Sequence, residues 1–414
     1  MNFNKQINNS KFDGKSKVKL ITTASLILAS LPLMSANVLA EEVNKNNSKA
    51  FIDFRLRYES VEQDNALKEA KGLTLRTLLH YQTQSFNGLS AVVEFEDSRE
   101  VLGVDDYNDT NGHNTGYSVI ADPNTTELDQ GFIQYKSAGV TAKLGRQVIT
   151  FDGHRFVGHV GWRQDKQTFD GASVNYRADK LTANYAYLNK RNRIFAENKD
   201  IDSKDHLFNA SYHLAIGKLT GYGYLLEVDQ NTSNAIDTFG ISFDGKAHLL
   251  AKDINYRVEY ASQTSESSMA EFDTDYLNIE AGLALGKVKL KVGLESLGSD
   301  NGQYGFATPL ATLHKFNGWS DQFLNTPKVG LDDLYLSAST KLLGGSVVLA
   351  LHDFSANDNS PSVEDLGSEI NLQYTTKFAK YFNGGVKFAA YSAGDDGAGK
   401  VDTDKVWLWI GARF

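Results

Sequence analysis

The sequence contains no cysteine and only five prolines in 414 residues. The absence of cysteine excludes a disulfide framework and a thiolate metal site. The scarcity of proline suits a chain built from strands, because proline lacks the backbone donor that a strand interior needs. After residue 40 there is also no apolar run of roughly 20 residues, the length that a transmembrane helix requires. Strands are therefore expected instead of membrane helices.

Glycine and aromatic residues are abundant, with 35 Gly, 23 Phe and 19 Tyr. Many strands joined by tight glycine turns, with girdles of aromatic side chains, would produce this profile. A chain of this length could form two or three soluble domains. One large transmembrane barrel also uses such a length without a domain boundary.

Residues 1–40 have the organisation of a secretory signal peptide. An apolar run of about 14 residues, from Leu20 to Leu33, is too short for a membrane anchor. Val38-Leu39-Ala40 offers small residues for cleavage near Ala40. The positively charged region before the apolar run contains Lys5, Lys11, Lys15, Lys17 and Lys19. The expected organisation is a signal peptide over 1–40 and a barrel over 41–414.

Net charge argues against nucleic-acid binding. The whole chain carries −9, and the signal segment holds five lysines and one aspartate, so its removal leaves about −13. Phosphate recognition needs a concentrated basic face, which this acidic chain does not offer. No nucleic-acid partner is expected.

Alternation with a period of two recurs along the chain and predicts strands with two different faces. Ile52, Phe54 and Leu56, for example, alternate with charged residues. The same pattern is clear in segments 52–59, 73–81, 254–261 and 288–295. About eighteen candidate strands of about 8–12 residues can be counted, the length that a tilted strand needs to cross a membrane.

The connections alternate between short and long. Short turns are predicted at 86–88, 137–139, 178–180, 216–217, 286–287 and 343–345. Long polar segments are predicted near 60–72, 100–127, 150–166, 190–204, 262–273, 297–329, 355–366 and 392–404. Every proline after the signal falls in a long segment. The sequence thus predicts an all-β fold: a closed antiparallel transmembrane β-barrel of about 18 strands, with short periplasmic turns and long extracellular loops.

The chain ends in an alternating apolar row that runs from Val406 to a terminal Phe414. This arrangement resembles the closing strand and assembly signal of bacterial outer-membrane proteins. It implies the barrel assembly machinery as a partner and the outer membrane of a Gram-negative envelope as the location. Outer-membrane lipid and lipopolysaccharide are further expected partners. The acidic long loops are interpreted as solvated surface, with a cation site shared with lipopolysaccharide as the alternative.

Two loop-bearing segments carry a family resemblance. The first contains Leu144-Gly145-Arg146-Gln147, Arg155-Phe156-Val157-Gly158, Gly161-Trp162-Arg163-Gln164 and Thr168-Phe169-Asp170. The second, the more specific, runs from Thr308-Pro309-Leu310 to Gly318-Trp319 and on to Thr326-Pro327. With residues 54–59 and 95–97, these segments resemble the alginate export family. The resemblance implies an 18-stranded monomeric barrel whose arginine-rich lumen conducts a polyanionic uronate polymer.

Charged residues on the inward strand faces are the candidate pore lining. They are Arg55, Arg57, Arg76, Glu94, Glu96, Lys143, Arg146, Arg257, Glu259, Lys289 and Lys291. One interpretation is pairing across strands, which stiffens the wall. The other is a transverse field, basic on one wall and acidic on the opposite wall, that orients hydrated solutes; guanidinium groups would suit carboxylated sugars.

The long segments supply candidates for a constriction in the pore. They are Arg155, Trp162, Arg163, His314 and Trp319. The two tryptophans could stack on sugar rings or anchor inward-folded loops. His154 and His159 lack a third metal ligand, so no metal site is predicted.

Passive passage of hydrophilic solutes, anionic or sugar-like, with uronate oligosaccharides as examples, is the leading functional hypothesis. The mixed lumen charges favour it over secretion of an alginate-like polysaccharide, because carboxylates in a narrow passage repel a polyanion. A non-conducting receptor or structural barrel is the alternative of another class. No Ser–His spacing indicates an enzyme, and no cofactor is expected.

Overall fold

The computed structural model describes residues 48–229, 234–249, 252–360 and 362–414. The expected signal peptide over residues 1–40 lies outside these ranges. Eighteen strands form one antiparallel sheet, in which each strand pairs with the sheet strands before and after it in sequence. The last strand also pairs with the first, in a register from Asp53–Arg413 to Gln63–Thr403. The sheet is therefore a closed barrel, and the predicted fold class and strand number are confirmed.

The barrel strands are β1 Lys49–Gln63, β2 Ala70–Gln82, β3 Leu89–Asp106, β4 Thr125–Ser137, β5 Val140–Gln147, β6 Thr168–Ala178, β7 Leu181–Asn192, β8 Ile201–Leu214, β9 Gly217–Val228, β10 Asn234–Leu249, β11 Lys252–Glu266, β12 Glu271–Leu285, β13 Val288–Leu297, β16 Leu331–Leu342, β17 Gly345–Ser360, β18 Val363–Lys377, β19 Phe382–Ser392 and β20 Thr403–Arg413. A separate two-residue hairpin consists of β14 Ser299–Asp300 and β15 Tyr304–Gly305. Short 3-10 turns cover Asp152–His154, Glu197–Lys199, Leu313–Lys315 and Asp396–Ala398. In the described ranges, no helix is long and apolar enough to cross a membrane.

The two faces of the strands separate as their alternation predicts. In β11, Val258 and Tyr260 expose 44% and 47% of their surface, whereas Glu259 between them exposes 1%. Successive side chains of a strand point to opposite faces of the sheet, so the apolar row lies outside and the charged row inside. The exterior is therefore apolar and the interior polar.

The short and the long connections lie at opposite ends of the barrel. The two-residue turns 138–139, 179–180, 215–216, 286–287 and 343–344 all lie at one end of the barrel. Residues 107–124, 148–167 and 298–330 form the longest connections, at the other end. Ala138 and Gly139 have φ of 46° and 80°, values typical of the turns that match the twist of paired strands. The predicted rim of short turns is thus confirmed, although the turn predicted at 216–217 lies at 215–216 and the connection predicted at 86–88 spans residues 83–88.

Several strands are longer than predicted. β3 has 18 residues and β10 has 16. Most of the segments 60–72, 262–273 and 355–366, predicted as loops, continue the hairpins as paired strands. Beyond the membrane both faces of a strand meet water, so the alternation that marks a strand in the sequence ends before the pairing does.

The terminal residue completes the closure. Phe414 donates its backbone N–H to the carbonyl of Ile52 and accepts the N–H of Ile52, at 3.0 and 3.1 Å. Its ring lies 5.4 Å from the ring of Tyr381 and 6.0 Å from that of Phe382. Leu408 and Ile410 expose nearly half of their surface on the same outer face. The alternating row predicted at the chain end therefore lies on the apolar exterior.

Replacing Gly145 in β5 with alanine should destabilise the barrel. Gly145 has φ of +124°, and a Cβ there would lie 2.3 Å from the carbonyl oxygen of Gly131. The strained backbone alone costs about 1–3 kcal/mol, before the clash. Gly221→Ala is the matched control, since nothing lies within 4 Å of the place that its new methyl group would occupy. The measurement is the urea concentration at which each barrel loses its gel-mobility shift between unheated and heated samples. Equal midpoints for the two variants would contradict this account.

Candidate functional site

Two loops from the long-loop rim fold into the barrel. Residues 148–167, between β5 and β6, are called the first inner loop, and residues 298–330, between β13 and β16, the second inner loop. The N–H of Gly158 donates to the carbonyl of Leu310 at 2.8 Å, and that of Thr312 to the carbonyl of His154 at 3.0 Å. The two loops therefore form one hydrogen-bonded unit across the interior.

One end of the first inner loop is fixed to β13. The Nε of Arg155 donates to Oε1 of Glu295 at 2.6 Å, and the hydroxyl of Tyr276 donates to the same oxygen at 2.6 Å. Asn317 of the second inner loop donates to the other oxygen of Glu295 at 2.7 Å. Burial alone lowers the pKa of a guanidinium, but Glu295 raises the pKa of Arg155 above its usual value. The arginine remains charged and holds both loops to the wall.

The other end is fixed to β1. The guanidinium of Arg163 lies 2.9 Å from a carboxylate oxygen of Glu59 and 3.1 Å from Asp321 of the second inner loop. All three side chains are at least nine-tenths buried. Because β1 and β13 lie far apart in the strand order, a loop bound to both crosses the lumen. The first inner loop therefore bridges these two parts of the barrel wall, and a constriction at this place stays a prediction.

Arg55 and Arg57, both on the inward face of β1, also bind the first inner loop. Arg55 donates to Oε1 of Gln164 at 2.9 Å and to the carbonyl of Gly161 at 3.1 Å. Arg57 contacts the carbonyl of Trp162 and the carboxylate of Asp122, and its guanidinium lies 5.1 Å from the Trp162 ring centre. Their guanidinium groups are therefore engaged with protein. A solute-facing role for these two arginines stays a prediction.

Aromatic rings surround a buried lysine where the two inner loops meet β19. The Lys387 ammonium lies 4.0 Å from the ring centre of Trp319 and 4.4 Å from that of Trp162. It donates to Nε2 of His314 at 2.7 Å, while Nδ1 of His314 lies 2.6 Å from Asp321. Burial lowers the pKa of His314 to about 3, so the imidazole is neutral and can accept from the lysine.

Trp162 stacks on His314, with ring centres 5.1 Å apart and planes 5° from parallel. Trp319 donates its backbone N–H to Glu369 of β18, and Ser320 donates to the same carboxylate. These contacts favour the loop-anchoring interpretation of both tryptophans over sugar stacking, which stays untested. Cation–π contact with Lys387 adds electrostatic attraction to the buried aromatic area.

Carboxylates collect where the end of the first inner loop contacts β3 and β4. Lys166 lies 2.8 Å from Glu94 and 3.3 Å from Glu96, and it also contacts Asp129. Arg76 of β2 contacts Asp53 and lies 3.9 Å from Glu96. This corner of the lumen is predominantly acidic.

Arg146 and Lys143 lie on β5. Arg146 makes a two-pronged ion pair with Asp170 of β6, at 2.7 and 3.1 Å. The Lys143 ammonium lies 4.6 Å from the Phe132 ring centre. Pairing across neighbouring strands explains the first contact and agrees with the wall-stiffening interpretation.

A chamber of about 860 Å³ opens at the short-turn rim, below the inner loops. Its charged lining consists of the cations Lys218, Lys246, Arg257, Lys289 and Lys291 and the carboxylates Asp244 and Glu280. Arg257 is bound to Asp244 at 2.7 Å and to Glu259 at 2.9 Å. Lys291 is bound to Glu280 at 2.9 Å. Lys218 also lies 3.4 Å from Asp152 of the first inner loop. With Asp152 and Glu259 counted, five cations face four carboxylates, and this small excess of positive charge is the reason that we call the cavity the basic chamber.

A second cavity, of about 420 Å³, lies toward the long-loop rim. Its charged lining includes Arg163, Arg193, Asp321 and Lys405, beside apolar residues such as Phe195. Lys405 lies 2.8 Å from Asp321, whereas Arg193 lies over the Phe195 ring at 5.6 Å. Both cavities therefore have cationic side chains in their walls, and residues of the inner loops line the second one.

The structure thus divides the sequence candidates into groups. Arg55, Arg57, Arg155, Trp162, Arg163, His314 and Trp319 meet at the inner loops. Arg257, Lys289 and Lys291 meet in the basic chamber. Sequence reasoning missed Lys387, Asp129 and Lys166. Lys387 offered one signal, since it is a lone charge in an inward row with Ala389 and Tyr391.

Replacing Arg163 with methionine should release the first inner loop. The change leaves Glu59 and Asp321 buried with one cationic partner fewer, at a cost of about 3–5 kcal/mol. Because the barrel wall keeps its pairing, the expected result is a larger single-channel conductance and altered tryptophan fluorescence in a folded barrel. Arg99→Met is the control, since its ion pair with Asp97 is more exposed and contributes little. A conductance equal to that of the unmodified protein would refute the tether.

Comparison with known proteins places this geometry in a family. The profile described as alginate export matches residues 49–301. No curated protein matches the chain. The barrel resembles OccAB4 of Acinetobacter baumannii, with a TM-score of 0.70, 11% identity and coverage of 89% of this chain and 98% of the other.

The outer membrane protein OpdK of Pseudomonas aeruginosa has a TM-score of 0.66 and 12% identity, and the alignment covers 88% of this chain and 98% of OpdK. The structure of OpdK with vanillate has a TM-score of 0.65 and 13% identity, and the alignment covers 88% of this chain and 98% of OpdK. At these identities the likeness concerns the fold, which is that of an outer-membrane porin. Since the family profile covers more than half of its sequence, the chain belongs to the alginate export family.

Proposed function

We propose that this protein is a passive outer-membrane channel for small hydrophilic anions, with carboxylates and acidic sugars as the solute class. The observation that carries the proposal is the basic chamber at the short-turn rim. Transport without a catalytic step is the activity that we assign to it.

The chamber can attract a solute because part of its positive charge is uncompensated. Within the described residues, Lys246 and Lys289 have no carboxylate within 4.0 Å, and Lys289 is exposed to the chamber. A cleft whose lining carries an excess of one sign of charge, with low-dielectric walls, raises the local concentration of the opposite ion. Anions would therefore enter more readily than cations of the same size.

The solute class has support from a structural neighbour. OpdK was solved with vanillate, a small carboxylate. A carboxylate of that size is compatible with a chamber of about 860 Å³, and lysine and arginine side chains suit carboxylate oxygens. Uronate oligosaccharides carry the same group and are included in the proposal.

The test is ion selectivity in a planar bilayer. Purified protein should give discrete conductance steps, with a reversal potential in a salt gradient that indicates anion preference. The double variant Lys289→Gln and Lys291→Gln should lower the anion-to-cation permeability ratio about twofold or more, because it removes two of five chamber cations. The control is Lys252→Gln, at the same rim but on the outward register of β11. A double variant with unchanged selectivity would exclude the basic chamber as the selective element, and silent bilayers would support the non-conducting alternative.

Secretion of an alginate-like polysaccharide is the second candidate, and the family match favours it. A polymer would have to displace or thread past inner loops held by Arg155 and Arg163. Deletion of the protein from its host separates the two functions. Loss of extracellular polyuronate with normal growth on oligosaccharides would support secretion, and the reverse pattern would support uptake.

Delivery to the outer membrane is also proposed, with cleavage near Ala40, folding by the barrel assembly machinery through the strand that ends in Phe414, and contact with lipopolysaccharide. The apolar exterior and the terminal alternating row support this route. Amino-terminal sequencing of the membrane-inserted protein should begin close to Glu41. An uncut amino terminus would instead indicate a retained membrane anchor.

A further inference from the structure

Three buried carboxylates meet where the first inner loop contacts the barrel wall. Glu96 of β3, Asp129 of β4 and Asp165 of the loop each place one oxygen within 4.8 Å of the others. All three side chains are almost fully buried, with 3%, 3% and 4% of their surface exposed. Such proximity of like charges is unfavourable unless a counter-charge lies among them.

The strand geometry explains why the wall carboxylates face inward together. Glu94 and Glu96 are two residues apart in β3, so they share a face. A bulge in β4 opposite Glu94 and Phe95 leaves Asp129 without a direct partner in the register, between Leu128 and Gln130. A bulge redirects side chains, and here it brings Asp129 to the inward face beside Glu96.

The cationic side chains near these carboxylates do not compensate all of their negative charge. Lys166 contacts Glu94, Glu96 and Asp129, so one ammonium serves three carboxylates. Arg76 approaches Glu96 only to 3.9 Å, because its guanidinium also contacts Asp53. Of the carboxylates in this corner, His80 forms an ion pair with Glu94, at 2.6 Å. No lysine, arginine or histidine of the described residues lies within 4.0 Å of Asp165.

Two of the carboxylate oxygens have neither a hydrogen-bond partner nor an ion-pair partner. They are Oδ2 of Asp165 and Oε1 of Glu96, both buried among the described residues. Leaving a charged acceptor buried and unpaired costs more than the 1–3 kcal/mol or so that a neutral group would cost. An unpartnered carboxylate that is more than nine-tenths buried therefore indicates a missing positive partner.

We propose that Glu96, Asp129 and Asp165 bind one divalent cation, of the Ca²⁺ class, that clamps the first inner loop to the wall formed by β3 and β4. The ligand set consists of oxygens alone, which suits hard cations and not thiolate- or imidazole-preferring metals. Ca²⁺ lies about 2.3–2.6 Å from each ligand oxygen, so oxygens that share one ion can be up to about 5 Å apart. The observed cluster satisfies that limit, and waters complete the coordination.

The cation site is distinct from the proposed solute path. It lies on β3 and β4, whereas the basic chamber is lined by strands from β8 to β16. Its ligand Asp165 follows two residues after Arg163, whose ion pair with Glu59 fixes the same loop. The ion would therefore add a third attachment of the first inner loop, beside those at β13 and β1.

The test is Ca²⁺ binding to the full chain in detergent after chelator treatment, measured by titration calorimetry with CaCl₂ in the presence of NaCl. The unmodified protein should bind one Ca²⁺ per chain. Asp165→Asn and Glu96→Gln should each weaken binding by at least about tenfold, as expected for loss of a charged ligand. Asp396→Asn, which changes an exposed loop carboxylate, should bind as the unmodified protein does.

Asp165→Asn is the deciding variant, because Asp165 lies in a loop and the strands that form the barrel stay unchanged. A folded barrel, checked by its gel-mobility shift, with unaltered Ca²⁺ affinity in Asp165→Asn would overturn the proposal. The proposal would also be overturned if the unmodified protein bound no Ca²⁺ and the Asp165→Asn variant had a higher thermal stability. That result would mean that a proton shared among the carboxylates neutralises the cluster. Lys166→Met should bind Ca²⁺ at least as tightly as the unmodified chain, because it removes a competing cation.

Discussion

The rest of the structure depends on the closure of the sheet. In a hydrocarbon layer no water can satisfy a backbone N–H or carbonyl, so a spanning sheet must have no free edge. Here β20 returns to β1, and Phe414 pairs with Ile52 at the seam. Closure then determines the direction in which each side chain points, because every strand must present an apolar row to lipid and its alternate row to the interior.

This constraint places many charged side chains in the confined interior, and the inner loops form ion pairs with them. Arg155 and Arg163 are buried with carboxylates at opposite ends of one loop. A buried ion pair gains little net stability, because desolvation offsets its attraction, but breaking it by removing one partner is costly. Such pairs therefore determine where the loop lies more than they determine how stable the barrel is.

Much of the barrel could be predicted from the sequence, because alternation and turn residues are local signals. The inward positions of Arg57 and Glu259 and the turn at Ala138–Gly139 follow from them. The ion-pair partners of the buried charges could not be predicted. Arg163 and Glu59, for example, are separated by more than a hundred residues and meet only after the barrel closes. The inward position of Asp129 could not be predicted, because a bulge interrupts the alternation there. The ends of β3 and β10 could not be predicted either, because the alternation stops where both faces of a strand meet water.

The arrangement of charge around the ring has a further consequence for solutes. The acidic corner lies on β3 and β4, and Lys289, Lys291 and Glu280 of the basic chamber lie on β12 and β13, half-way around the eighteen strands. The carboxylates of the acidic corner are buried beneath the first inner loop, whereas Lys289 is exposed to the chamber. A buried charge that a bound counter-ion neutralises acts weakly on a passing ion, and an exposed charge without a counter-ion acts strongly. With the proposed cation bound at the acidic corner, the interior would therefore present a mobile ion mainly with positive charge, even though the chain as a whole is acidic.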